Sequence, residues 1–264
     1  MKVERDKSII MFNTQGTPMK IIETIDITFV LIEFLDQFRY QVKTRYDNFR
    51  KGTVMNPYDR TISKIGYIGI GKYNGNVRTT EFRKKINNCW ADMIRRCYSE
   101  KDRSIHATYQ NCYVSDNWHN FQNFAEWYEE NFYQVGTERM HIDKDILYKN
   151  NNFYSPDTCI IVPQRINMMF ITRTRLVDSD LPQGIYRVAK GCYSSMYNAK
   201  SLGIYDSLAE VLNIYNQAKY KALCKVAEEY KEKIPTKLYD ALYNWIPDGV
   251  NNIKVKKVTD NKIA

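Results

Sequence analysis

Apolar and polar positions alternate over the first sixty residues in the manner of a small β-sheet. The three β-rich runs are 19–22, 25–34 and 38–44. The residues Leu35-Asp36-Gln37 predict a turn between the last two runs, and Gly52 followed by Asn56-Pro57 marks a boundary. We therefore predict an N-terminal β-rich domain over residues 1–62.

The pattern changes to helical spacing from residue 80. Between residues 80 and 100 apolar side chains recur every three to four positions, which predicts an amphipathic helix. Arg95 and Arg96 near its end are candidate DNA contacts, or part of an ordinary solvated face. A second helix is predicted after the capping sequence Ser115-Asp116-Asn117.

Residues 141–170 follow the order strand, turn, strand, helix. The first strand spans Ile142 to Leu147, and polar residues 149–152 form the turn. The second strand runs over 159–162, and Pro163 stands where a helix can start. This ββα layout, with the two preceding helices, predicts a central domain over residues 63–175.

The C-terminal part contains three further β-rich runs and a long helix. The runs are 184–188, 193–197 and 201–205, and the helix covers 207–231. Ser207 with Glu210 three residues later forms a capping box at the start of this helix. We predict a domain over 176–247 and a polar, basic tail over 248–264, so the fold class is α+β with several domains.

Composition adds a preference for polyanionic partners. The chain carries 39 Lys and Arg against 30 Asp and Glu, a formal charge of +9, which favours nucleic acid or an acidic surface. The longest apolar stretch, 25–35, is interrupted by polar residues and is too short to span a bilayer, and no secretory leader precedes it. Six scattered cysteines without a CxxC pair suit a reducing compartment. We expect a cytoplasmic protein with no membrane partner.

A glycine-rich stretch, GYIGIGKYNGN at residues 66–76, has glycines spaced like those of a phosphate-binding loop. No Lys-Ser/Thr follows them, and no nucleotide-binding strand and helix enclose them. The stretch therefore predicts a flexible strand or loop and not a nucleotide site.

The segment GIYRVAKGCYSSMYNAKSLGIYDSLAEVLNIYNQAKYK, from residue 184, resembles the ethylene-response-factor-type DNA-binding domain of plants and of phage mobile endonucleases. The resemblance lies in its glycine, aromatic and arginine opening and in the LGIYDSLAEV transition into a long helix. It implies a sheet that enters the major groove of double-stranded DNA while the helix backs it. The implied DNA contacts are Arg187, Lys190 and Lys200, with Tyr186, Tyr193 and Tyr197 for sugar or base packing.

The strands of this segment depart from that family in having few arginines. Ser194, Ser195 and Met196 stand where more charge is usual. Phosphate contact is therefore expected to outweigh base readout.

The residues IDKDIL and YSPDTCIIVPQRIN resemble the HNH, or His-Me finger, motif of phage homing endonucleases. The resemblance implies that Asp143 binds Mg²⁺ or Mn²⁺ and that a base stands beside it, and the neighbouring carboxylate of Asp145 makes this pair the candidate metal site. That position holds Lys144, which is protonated at pH 7 unless burial lowers its pKa strongly. His141 lies two residues before Asp143 and so on the same face of a strand, but out of register for the base. A second metal ligand is expected near Thr158.

Three functions remain open from the sequence. The first is a metal-dependent nicking endonuclease in which Asp143, Lys144 and His141 are the candidate catalytic residues. The second is a catalytically degenerate relative that acts as a DNA-binding regulator, or as a phage inhibitor of a host defence protein in the host cytoplasm. The third is an RNA-binding or protein-binding module.

Overall fold

The computed structural model describes residues 4–73, 81–105, 109–171 and 181–245 of the 264-residue chain. Small sheets and helices follow one another along the chain, which confirms the predicted α+β class. The chain divides into two compact units that are interleaved in sequence. Unit 1 comprises residues 1–132 and 150–159, and unit 2 comprises residues 133–149 and 160–264.

An antiparallel four-stranded sheet opens unit 1, with the strands in chain order. Its elements are β1 (Ile10–Phe12), β2 (Pro18–Thr24), β3 (Phe29–Phe34), β4 (Gln41–Arg45) and the helix α1 (Tyr46–Lys51). Ile21 on β2 pairs with Ile32 on β3, and both side chains are buried in one layer. Phe49 of α1 belongs to the same core, which fixes the helix on the sheet.

The strand predicted over 25–34 is too long at its start. The Asp26 carboxylate accepts hydrogen bonds from the backbone N–H groups of Thr28 and Phe29, at 2.7 and 2.8 Å. Such a local side-chain turn competes with strand pairing, so β3 begins only at Phe29. Ile25 and Ile27 remain exposed despite their apolar character.

The remainder of unit 1 is mainly helical. Its elements are α2 (Glu81–Tyr98), α3 (Glu100–Ile105), β5 (Tyr113–Val114), α4 (Phe121–Asn131) and β7 (Phe153–Tyr154), and β5 pairs with β7 in parallel. The helix predicted over 80–100 is α2, whose buried Trp90 donates from Nε1 to the carbonyl oxygen of Trp118 at 2.7 Å. The second predicted helix begins later than expected. Residues 116–119 form a 3₁₀ turn, and Asn120 caps α4 by accepting from the Gln122 N–H at 3.0 Å.

The glycine-rich stretch is a packed segment of unit 1. A Cβ atom on Gly69 would lie 2.4 Å from Oδ1 of Asn120, and Gly69 has a φ of +70°. The buried Gln122 side chain donates to the carbonyl oxygen of Ile68 at 3.0 Å and accepts from the Tyr73 N–H at 2.9 Å. Glycine is needed here because two amide side chains approach the backbone closely.

Unit 2 contains the predicted ββα segment and the predicted C-terminal sheet. Its elements are β6 (Met140–Asp143), β8 (Ile160–Pro163), α5 (Gln164–Met168), β9 (Ile185–Ala189), β10 (Cys192–Tyr197), β11 (Lys200–Tyr205), α6 (Leu208–Tyr230) and α7 (Thr236–Tyr243). The three C-terminal strands and α6 lie within two residues of their predicted bounds. The Ser207 side chain accepts from the Glu210 N–H at 3.5 Å, as expected of the cap of α6.

The structure groups these residues differently from the predicted domains 63–175 and 176–247. Val162 of β8 and Ile166 of α5 share one core with Leu223 of α6 and Leu238 of α7. The apolar residues of the ββα segment are therefore packed against the two C-terminal helices.

The end of the glycine-rich stretch, 74–76, and the basic tail, 248–264, lie outside the described residues. Among the helices that the structure describes, none combines the length and apolar character that crossing a bilayer requires.

Candidate nucleic-acid interface and the ββα segment

The C-terminal sheet has one covered face and one open face. Its antiparallel strands follow the order β11-β10-β9, and α6 packs against them. Ile185 and Ser195 pair with each other across β9 and β10, and both are fully buried. Tyr197 contacts Tyr215 of α6 edge-on, with ring centroids 5.6 Å apart. Ile185, Ser195 and Tyr197 therefore mark the face that α6 covers, which we call the helix face.

Gly184, at the start of the sheet, is a requirement of this packing. A Cβ atom there would lie 2.1 Å from Cε2 of Tyr215, and the residue has a φ of +84°. Only glycine accommodates both the left-handed backbone and the close approach of the ring. The glycine of the opening motif therefore positions the sheet on α6.

Strand alternation separates the predicted DNA contacts into two groups. Arg187 pairs with Tyr193 and lies two residues after Ile185, so both belong to the helix face. Lys200 pairs with Tyr197 and belongs to it as well. Tyr186 lies on the opposite, open face. The predicted contacts therefore do not form one continuous face, although Arg187 and Lys200 are exposed and lie on the two edge strands, β9 and β11.

The open face is composed of uncharged side chains in register across the three strands. Ser194 on β10 pairs with Tyr186 on one side and Ile204 on the other, and Met196 pairs with Ser201. Ser201 and Ile204 are not among the contacts predicted from the sequence. Residues of a strand point alternately to its two faces, so one residue of known burial assigns all the others. Here the buried residues are Ile185 and Ser195, and their burial is known only from the packing of α6.

The cations of this sheet lie at its margins. Lys190 is in the turn between β9 and β10, and Lys200 follows the turn between β10 and β11 at the other end of β10. Residues 184–205 hold three cations and no carboxylate. Asp206, the next residue, accepts a hydrogen bond from Cys192 Sγ at 3.1 Å. The six residues of β10 separate the two turns by about 17 Å.

The other two predicted DNA contacts are in unit 1, on the last turns of α2. Arg95 donates to the Asp92 carboxylate at 2.6 Å on the same helix. The Arg96 guanidinium lies over the ring of Tyr109, 5.7 Å from its centroid. Both side chains are exposed, and each already has a partner within unit 1.

The ββα segment has the predicted topology. Strands β6 and β8 are antiparallel, with His141 opposite Val162 and Asp143 opposite Ile160, and α5 begins directly after β8. Oδ1 of Asp143 accepts hydrogen bonds from the backbone N–H groups of Asp145 and Ile146, each at 2.8 Å. Burial raises the pKa of the Asp143 carboxyl above its ordinary value, although these two hydrogen bonds act to lower it.

Lys144, at the position expected for a catalytic base, is a buried cation in an ion pair. Only 7% of the residue is exposed, and its Nζ lies 2.8 Å from both carboxylate oxygens of Asp145. An ammonium that donates to a carboxylate is held in its charged form and has no lone pair with which to accept a proton.

Three of the four carboxylate oxygens of Asp143 and Asp145 already have hydrogen-bond partners. The Asp143 oxygen Oδ1 is used by backbone N–H groups, and both Asp145 oxygens are used by Lys144. Mg²⁺ and Mn²⁺ require several oxygen ligands that are free to converge on one point. In the part of the chain that the structure describes, no three His, Cys, Asp or Glu side chains are grouped so that they could hold a metal.

Comparisons of this chain with models of protein families, with curated proteins and with solved structures found no match.

Proposed function

We propose that this protein binds double-stranded DNA through the β9–β11 sheet and does not cleave it. The observation that carries the proposal is the distribution of charge in residues 184–205. These residues contain three cations and no carboxylate, with Lys190 and Lys200 at opposite ends of β10. The major groove of B-form DNA is about 12 Å wide between its phosphate backbones. Flexible lysines on either side of a strand about 17 Å long can reach both backbones while the sheet faces the groove.

Arg187 supports the same arrangement from the edge strand β9. It lies on the helix face by alternation and is exposed, so we place it at the margin of the sheet and not at the centre of the open face. At the margin it contacts phosphates and leaves the bases to the open face.

The ββα topology favours a second candidate function, a nicking endonuclease that uses Asp143 with Mg²⁺ or Mn²⁺. Against it stands the Lys144–Asp145 ion pair, which removes a base and a metal ligand together. We therefore favour the degenerate relative, in which the ββα segment serves as a structural support. A host defence protein as a partner stays a prediction.

Salt titration tests the DNA-binding proposal. The affinity of the full chain for a mixed-sequence duplex, measured by fluorescence anisotropy between 50 and 300 mM salt, is expected to fall steeply because bound lysines release counterions. Lys190→Ala and Lys200→Ala each lower the slope of log affinity against log salt by about 1. Lys237→Ala on α7, which is exposed and away from the sheet, is the matched control and leaves the slope unchanged.

Two results would overturn the proposal: equal slopes for the three variants and the wild type, or single-stranded RNA that competes better than the duplex. Cleavage is tested separately by incubating supercoiled plasmid with the protein and Mg²⁺ or Mn²⁺. We expect no nicking above that of Asp143→Ala. Nicking that Asp143→Ala abolishes would establish the endonuclease instead.

A further inference from the structure

The open face of the β9–β11 sheet lacks the side chains that distinguish guanine and adenine. The paired strand residues nearest the centre of this face are Tyr186, Ser194, Met196, Ser201 and Ile204, and the uncharged pair Ala189 and Cys192 continues it towards the β9–β10 turn. Arginine or lysine commonly binds guanine through its O6 and N7 atoms, and asparagine or glutamine binds adenine through N6 and N7. None of these residue types is among them. The paired hydrogen bonds that specify purines are therefore not available from the strands.

The apolar side chains of the open face are large and accessible. Ile204 is 66% exposed, Tyr186 is 41% exposed and Met196 is 40% exposed. Ser194 lies between Tyr186 and Ile204 across the three strands. The centre of this face therefore carries a small hydroxyl side chain, with larger and more exposed side chains on both sides.

One feature of the major groove matches exposed apolar side chains: the C5-methyl group of thymine. Cytosine carries a hydrogen at this position, so the methyl group distinguishes the two pyrimidines by apolar contact alone. Burial of each methyl group contributes favourably because it removes apolar surface from water. Recognition of a methyl group by apolar contact needs no arginine, asparagine or glutamine on the strands.

Charge selects DNA over a protein partner as the occupant of this face. An apolar face alone would also suit another protein. Here Lys190 and Lys200 lie at opposite ends of β10, in or beside the turns that border the sheet, and residues 184–205 contain no carboxylate. Flanking cations without acids are complementary to two phosphate backbones.

We propose that the open face recognises 5-methylpyrimidines in the major groove, with Ile204, Met196 and Tyr186 as the specificity-determining contacts. The proposal rests on the DNA-binding function proposed above. It assigns phosphate contact to the lysines and base discrimination to the apolar side chains.

Duplexes that differ only in the methyl group test this proposal. Four mixed-sequence duplexes of 24 base pairs are compared at one salt concentration: a thymine duplex, the same duplex with every thymine replaced by deoxyuridine, and a G·C-rich duplex with cytosine or with 5-methylcytosine. We expect the thymine duplex to bind about tenfold more tightly than its deoxyuridine counterpart. We expect methylation of cytosine to raise affinity in the same direction.

Variants locate the effect on the open face. Ile204→Ser is expected to reduce the thymine preference to about threefold or less, with the salt dependence of binding retained. Ile27→Ser, at an exposed isoleucine of unit 1, is the matched control and keeps the full preference. Circular dichroism confirms that both variants are folded, and Met196→Ser provides a second, independent substitution on the same face.

The outcomes separate the two proposals. Salt-sensitive duplex binding with equal affinity for thymine and deoxyuridine would overturn methyl recognition and leave the DNA-binding function standing. Absence of duplex binding would overturn both. A concentration-dependent dimer that Ile204→Ser dissociates, with no methyl preference, would assign the face to a second copy of the chain and overturn methyl recognition.

Discussion

Nζ of Lys144 lies 2.8 Å from each carboxylate oxygen of Asp145, and the lysine is almost fully buried while its partner is about half exposed. The two members of this ion pair therefore do not contribute equally to stability. The lysine depends on its partner to remain buried as a cation, whereas the aspartate can be hydrated without the lysine.

Removal of the Asp145 carboxylate is expected to lower the free energy of unfolding more than replacement of Lys144 does. Asp145→Ala leaves a buried ammonium without this partner and should lower the free energy of unfolding by about 2 kcal/mol, a value reduced by the exposure of Asp145. Lys144→Met keeps the volume and removes the charge, so the loss should be smaller. Urea denaturation of both variants measures the difference. A larger loss in Lys144→Met would contradict this account of the pair.

The pH dependence of stability is expected to report on Asp143. Its pKa is raised above the ordinary value of 3.8, chiefly by burial, so its contribution is fully present below about pH 3.8 and is lost as pH rises through the raised pKa. Asn in its place is neutral throughout and still accepts from the two backbone N–H groups. Asp143→Asn should therefore gain stability relative to the wild type between pH 4 and pH 7. A difference in urea midpoints that stays constant over this range would refute the assignment.

Because Asn120 lies so close to Gly69, we expect any substitution of this glycine to lower the free energy of unfolding strongly. Gly16 also has a positive φ, +84°, but a Cβ atom there meets nothing within 4 Å. Gly16→Ala should therefore cost only the backbone strain, about 1 kcal/mol. Gly69→Ala adds a clash with Asn120 and should cost about 2 to 4 kcal/mol. Thermal unfolding of the two variants compares them directly, and equal melting temperatures would argue against a packed segment.

Ser195 offers a substitution that should stabilise the protein. Its hydroxyl is fully buried on the helix face and has no hydrogen-bond partner among the described residues. A buried hydroxyl without a partner costs about 1 to 3 kcal/mol, so Ser195→Ala should raise the free energy of unfolding by about 1 kcal/mol. Ser194→Ala, on the open face, should change it by less than about 0.5 kcal/mol. If Ser194→Ala gave the larger gain, the two faces of the sheet would be assigned the wrong way round.

The C-terminal elements were predictable because their local signals agree. Period-two runs give way to helical spacing at Ser207, and the capping pair Ser207 and Glu210 marks the change. By contrast, β1 has only three residues and α1 begins directly after a strand, so neither produces a periodic pattern long enough to recognise. At Ile25 and Ile27 the pattern predicted a strand where there is none, because apolar residues there lie in a turn.

The candidate site was predictable in composition but not in arrangement. The sequence identifies Arg187, Lys190 and Lys200 as cations of one sheet, but only the packing of Ile185 against α6 decides which side each strand residue takes. Likewise, the sequence places Lys144 beside two aspartates. It does not reveal that Asp145 pairs with Lys144 while Asp143 binds the backbone, because those contacts depend on how the loop after β6 turns.

The interleaving of the two units has a consequence for how this gene can change. The polypeptide passes from one unit to the other after residues 132, 149 and 159, and the core beneath β8 is closed by α6 and α7 near the C-terminal end of the described chain. No single cut in the reading frame separates the units, so recombination cannot exchange one for a foreign module by a single crossover. The β9–β11 sheet and the ββα segment both belong to unit 2, whose core α6 and α7 close, so an exchange of that unit replaces both together.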